Sequence, residues 1–232
     1  MTTDEFSAEF DVLLGVELRG KNYGVAQNTI ELDEYEKSIF LTEAQEDIVK
    51  AIYSGTLDGN PYESTEETRR ILNHLIKSKE IDVVTTSTAS LYEYPVQLEK
   101  DTWYIIKEVA KVEDSTLTCG NIKWVAVVPI RQDEYLRIIE NPFKSATNRR
   151  VLRLDDANLN TLVSKYKLSK YKYTYISEPE PIILANNLST SNLTVNGNTS
   201  KTTCKLNDSI HRTILKRAVQ LAIQRIGSQQ SK

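Results

Sequence analysis

Apolar residues recur every three or four positions through the first eighty residues. Beyond that point they alternate with polar ones or run together. The first pattern predicts helices and the second predicts strands. Thr2-Thr3-Asp4-Glu5 has the form of a capping box, in which a Thr hydroxyl and a Glu carboxylate satisfy the first free amides of a helix. Phe6, Phe10, Leu13 and Leu14 then fall on one stripe. After a loop over 20–28, residues 32–40 read as a helical turn or two. A second box, Thr42-Glu43-Ala44-Gln45, reads as the start of a better helix with Ile48, Val49, Ile52 and Tyr53 on one face and Gly55 as its left-handed stop. Asp58-Gly59-Asn60-Pro61 is loop chemistry. Ser64-Thr65-Glu66-Glu67 reads as a third box, followed by Ile71, Leu72, Leu75 and Ile76.

From about Ile81 the period shortens. Residues 83–91, 103–106, 109–112, 151–154 and 171–176 are expected strands. The last of these alternates strictly, which predicts one wet face. Ile122 to Val128, apolar apart from Lys123, has the pattern of a strand covered on both faces. Residues 132–140 read as one helix stopped before Asn141-Pro142. Residues 186–203 are rich in Asn, Ser and Thr, and Asn196-Gly197 at their centre is the pair a type I′ turn prefers, so a hairpin or flap is expected there.

The last helix is expected from an Asn207 cap to Ile226, ended by Gly227. Its broad apolar face (Ile210, Ile214, Leu215, Ala218, Val219, Leu221, Ala222) needs a partner, most simply the N-terminal helices. The predicted fold class is α+β: a small N-terminal helical bundle over 1–80, a β-rich part over 81–205 with the flap at 186–203, and a long C-terminal helix over 206–232 packing back on the bundle.

Composition changes this picture little, but charge does. The net charge of −3 hides a gradient, −12 over residues 1–101 and +9 over residues 102–232. Such polarity bears on association and suits a molecule that stacks on copies or partners. The longest apolar stretch, 124–130, is broken by Pro129 and far too short to span a bilayer, so no membrane role is expected. Cys119 and Cys204 lack ligand spacing, and with His74 and His211 they cannot build the usual zinc sites unaided. Both thiols are expected reduced and partly buried.

Candidate chemistry is sparse. No phosphate-binding Gly loop, nucleophile elbow, paired-His metal motif or calcium loop is present. His74 and His211 read as surface or boundary residues. No catalytic, cofactor-binding or metal-binding residue is assigned, and the chain is expected not to be an enzyme. The one concentration is basic and aromatic. Eight Lys/Arg lie between Lys144 and Lys172, with Tyr166, Tyr171, Tyr173 and Tyr175 among them. This segment could neutralise phosphates and stack on bases, giving a nucleic-acid-binding accessory protein as the competing reading. It could equally be a lysine-guarded sheet edge with tyrosines packed behind it.

Several stretches recur together in order. They are residues 32–46, Asp133-Glu134-Tyr135-Leu136 with Asn141-Pro142-Phe143, 149–154, Tyr175 with 179–184, and Cys204-Lys205-Leu206 leading to His211 and the terminal helix. Over roughly residues 5–225 this set resembles virion structural proteins of tailed phages, chiefly the crAss-like group. The resemblance implies a ring protein of the head-to-tail connector, in the neck of the virion and made in the host cytoplasm. Its partners would be copies of itself in a cyclic ring of twelve, the portal and other connector or tail proteins, and genomic DNA passing through the lumen without sequence-specific binding. No cofactor is implied. Candidate inter-subunit contacts are Arg149, Arg150, Arg153, Arg212, Lys216 and Arg217, the first three pairing with acidic residues of a neighbouring subunit.

Overall fold

A computed structural model describes residues 1–20, 31–56, 62, 65–84, 91–113, 122–156, 159–186 and 188–230. The chain forms two units. One comprises Met1–Leu75 with Pro179–Lys232, and the other Ile76–Glu178. The described residues make an α+β fold with five helices and a seven-stranded sheet. The expected loops over 21–28 and 58–61, most of the expected strand over 83–91, and Cys119 lie outside the described residues.

In the first unit α1 spans Thr3–Gly20 and opens on the predicted box, the Thr2 amide donating to Glu5 and the Glu5 amide to Thr2. The next helix starts earlier than its sequence suggests. α2 runs unbroken over Glu34–Ser54, capped by Asp33 and Glu36, so Thr42 lies inside it and is not a cap. Gly55 closes it at φ 75°, the left-handed stop expected. α3 covers only Glu66–Leu72, with Thr65 as its cap through the Thr68 amide, one position later than predicted. Leu75 ends a 3-10 turn, and Ile76, expected in the helix, opens a strand.

The last helix, α5 (Asp208–Gln230), packs on α2 and α1 as its apolar face required. Phe6, Phe10, Leu14, Leu41, Ile48, Ile214, Ala218 and Ala222 are buried in this unit. Asn207 caps α5 through the Ser209 amide, but Gly227 does not stop it; the helix runs through to Gln230. Asn196 (φ 47°) and Gly197 (φ 78°) form the predicted tight turn, closed by the Val195–Asn198 bridge.

The second unit is a single sheet built from β1 (Ile76–Asp82), β2 (Tyr92–Val96), β3 (Thr102–Glu113), β4 (Ile122–Ile130), β5 (Arg150–Asp155), β6 (Asn160–Ser164) and β7 (Lys167–Ser177), in the order β1-β7-β3-β4-β5-β6-β2. All pairs are antiparallel except β4 with β5, which are parallel and joined by a crossover carrying α4 (Tyr135–Glu140). Pro129 lies beyond the β3–β4 ladder, which stops at Ala126, where β4 is paired only with β5 among the described residues.

The sheet curls around one core. Tyr94, Ala110, Val112, Val125, Val127, Val151, Leu162, Tyr171 and Tyr173 share it, drawn from six strands. Side chains tie β2 to β7, and β1 to the connection between β2 and β3. The Leu168 amide donates to Tyr94 Oη at 2.8 Å, and Lys77 and Lys79 pair with Asp101 and Glu99 at 2.7 and 2.8 Å. β7 shows the predicted alternation, with Tyr171, Tyr173 and Tyr175 inward and Lys172 outward. It is flanked by β1 and β3, however, and is not the exposed edge that its lysines suggested.

Candidate assembly surfaces

Folding divides the six candidate cations. Arg153 points into the curled sheet, where its side chain is 8% exposed. It pairs there with Glu108 of β3 and, at 2.7 Å, with Asp155. Burial opposes its charge, but these two carboxylates hold the guanidinium pKa above its ordinary value. Arg150 donates to the backbone carbonyls of Phe143 and Ser145 at 2.7 and 2.9 Å, and so pins a loop. Arg217 pairs with Asp47 of α2 at 2.8 Å. Arg149, Arg212 and Lys216 are exposed and have no carboxylate partner among the described residues.

The aromatic half of the basic segment is spent on the core. Tyr171 and Tyr173 are fully buried and stack at 5.4 Å, and Tyr175 follows at 5.3 Å. Burial pushes the Tyr175 hydroxyl up to about 12, helped by Asp101 beside it. Rings in this position cannot stack on nucleic-acid bases. The outward lysines of β7 are partly neutralised by β1, as Lys170 with Glu80 at 2.6 Å.

Apolar exposure marks other places. The run from Ile122 to Val128 is not covered on both faces: Val125 and Val127 enter the core, while Trp124 (42%), Ala126 and Val128 (37%) face solvent. Arg150 sits beside Ala126 in the neighbouring strand, and through it the loop of residues 141–149 is fixed to this side of the sheet. The loop is well ordered by its own bonds. Asn141 accepts from the amides of Phe143, Lys144 and Ser145, while Thr147 and Arg150 exchange a backbone pair. Ser145 and Ala146 are buried beneath it. On top stands Phe143, 88% exposed, followed by the exposed Lys144; Leu136 of α4 is 73% exposed.

In the other unit, α1 turns Phe6, Phe10 and Leu14 into the core and leaves Val12 (65%) and Val16 (59%) outside. Positions 5, 9, 12 and 16 share one helical stripe by their spacing, so Glu5 and Glu9 flank the two valines. Gly15 beside them has open space where a side chain would stand.

His74 is exposed, as its position suggested. His211 is not a surface residue: it is 1% exposed, with its ring 5.4 Å from Phe6. Cys204 is a buried free thiol that donates to Gln45 Oε1 at 3.2 Å, and burial raises its pKa to about 11. Among the described residues no group of three or more His, Cys, Asp and Glu could hold a metal ion, and no helix is long and apolar enough to cross a membrane.

The sequence matches the phage tail ring protein 3/4 family over residues 1–232. It is 43% identical over 228 residues to ring protein 3 of Bacteroides phage crAss001, covering 96% of this chain and 95% of that protein. It is 31% identical over 239 residues to ring protein 4/5 of the same phage, covering 96% and 92%. By this full-length match the chain belongs to the phage tail ring protein 3/4 family.

Proposed function

We propose that this structural ring protein assembles as a closed cyclic ring of identical copies in the head-to-tail connector of the virion, between portal and tail, with the genome passing through its lumen. The observation that carries the reading is the match to phage ring proteins along the whole chain. A closed ring is built from heterologous contacts, in which one surface of each copy meets a different surface of the next. Two features support such contacts: the charge gradient along the chain, and exposed cations without a carboxylate partner among the described residues. Arg149, Arg212 and Lys216 are the members of the proposed inter-subunit set without a carboxylate partner among the described residues. Arg217 joins them only by exchanging Asp47, and Arg150 and Arg153 act by holding their own subunit together. The copy number is twelve, matching a portal-attached ring. The acidic N-terminal region, or the terminal helix, contacts neighbouring rings. A lumen lined by acidic residues repels phosphate and lets DNA slide without gripping it. Surfaces do the work, and no catalytic site is assigned.

Electron microscopy of the purified protein and of virions tests this. Closed rings of twelve copies at the neck are expected. A protein that stays monomeric and is missing from the particle overturns the proposal, and a different count overturns the twelvefold detail.

A further inference from the structure

Phe143 is the most exposed large apolar side chain among the described residues, yet the loop beneath it is tied by several hydrogen bonds. Nothing in its own fold needs an aromatic ring there, since the hydrogen bonds come from Asn141, Thr147 and Arg150. A rigid aromatic anchor loses little conformational freedom on binding, the property of residues that dominate protein interfaces. Lys144 and Arg149 stand on the same loop, both exposed and without a carboxylate partner among the described residues. The loop therefore presents an apolar knob with two positive charges.

α1 presents the converse. Val12 and Val16 form a short apolar stripe, Gly15 beside them leaves room for a bulky guest, and Glu5 and Glu9 continue the stripe toward the helix N-terminus. Glu9 has no basic partner among the described residues, whereas Asp4 and Asp11 are paired with Lys201 and Lys37. Apolar character and opposite charge thus occur on two different surfaces of one chain. That is the requirement for a contact repeated from copy to copy.

We infer that the occupant of each surface is a second copy of this chain: the Phe143 loop of one subunit seats on the Val12/Val16 stripe of the next, with Lys144 and Arg149 meeting Glu5 and Glu9. This inference rests on the ring reading and names the partner of Arg149 within it. Arg149, without a carboxylate partner among the described residues, adjoins Arg150, whose terminal guanidinium nitrogen holds the loop through two backbone carbonyls. Reversing Arg150 would unpin the loop and say nothing about the interface, so the test leaves it intact.

Full-length variants are compared by sedimentation and negative-stain microscopy at matched concentration, with thermal melting as the folding control. Phe143→Ala should weaken ring association at least about tenfold. Arg149→Glu and Glu9→Arg should each weaken it, and the double variant should recover most of the loss. A disulfide between Val12→Cys and Phe143→Cys, in a Cys119→Ser background, should link neighbouring copies into a ladder that neither single cysteine gives. Intact rings in all variants, or no rescue by the double reversal, overturn this contact while leaving the ring standing. Absence of rings from the wild-type chain and from particles overturns both.

Discussion

Thr42 and Ile182 exchange two hydrogen bonds across 140 positions of sequence: the Ile182 amide donates to the Thr42 hydroxyl at 3.1 Å, and that hydroxyl lies 3.3 Å from the Ile182 carbonyl as donor. Ser38 and Gln45 stand one turn to either side and act likewise. Ser38 accepts from the Leu184 amide at 2.9 Å, and Gln45 donates to the Glu180 carbonyl at 2.8 Å. All three side chains are buried, so α2 supplies to the segment 180–184 the partners that a neighbouring strand would otherwise give.

Thr42→Val keeps the shape and removes both bonds, leaving the Ile182 amide and carbonyl buried without them. The expected loss is about 2–4 kcal/mol. Thr42→Ser, which retains the hydroxyl, should lose about 1 kcal/mol for its missing methyl. Urea unfolding of the two variants checks this, and a Thr42→Val loss smaller than that of Thr42→Ser would mean that packing and not the hydroxyl governs this position.

The same residue shows what sequence could and could not disclose. Thr42-Glu43-Ala44-Gln45 has the spacing of a capping box, and buried Thr and Gln four and seven residues after Ser38 have the spacing of one helix face. Local sequence cannot choose between these, because the deciding partner lies at residues 180–184. The true cap, Asp33 with Glu36, carries an equivalent pattern nine residues earlier. Long amphipathic stretches such as α5 and β7 were legible because burial enforces their period. The five-residue strands β2 and β6 were not, since each is held by pairing more than by an apolar run of its own. The apolar run from Ile122 to Val128, broken only by Lys123, suggested burial on both faces, but Trp124 and Val128 are exposed. Among the cations, Arg149 and Arg153 look alike in sequence, but Arg149 stands exposed on the loop before β5 while Arg153 points inward from the strand to an internal ion pair.

Arg153 and Glu108 bind across the interior of the curled sheet, and Tyr171 Oη donates to the same Glu108 carboxylate at 2.8 Å. Glu108→Ala leaves the guanidinium with Asp155 alone and the tyrosine hydroxyl without an acceptor. The expected cost is about 3–5 kcal/mol, the usual penalty for stripping one partner from a buried pair. Replacing both charges with apolar residues, Glu108→Leu with Arg153→Met, should recover a large part of it. A double-mutant cycle measured by denaturant unfolding checks this. A single-variant loss below about 1 kcal/mol would show that water reaches the pair.

His211 gives the unit of helices a dependence on pH whose sign follows from its contacts. Nε2 lies 2.9 Å from the Leu206 carbonyl, which can only accept, so that nitrogen carries the proton and Nδ1 is the lone-pair side. Nδ1 faces the Met1 ammonium at 3.0 Å and the Asp208 carboxylate at 3.2 Å. Burial is the main cause that lowers its pKa, the Met1 charge adds to this, and the Leu206 hydrogen bond and Asp208 oppose it without reversing it. The unfolded chain therefore binds this proton more readily than the folded one. Stability from this group is fully present above the unfolded value of about 6.5 and is lost as pH falls toward the depressed folded value. Unfolding free energies measured from pH about 8 down to about 5 should decline for the wild type and decline less for His211→Gln. Parallel curves for the two proteins would show that His211 does not carry the acid-side loss, and a steeper decline in the variant would reverse the assigned sign.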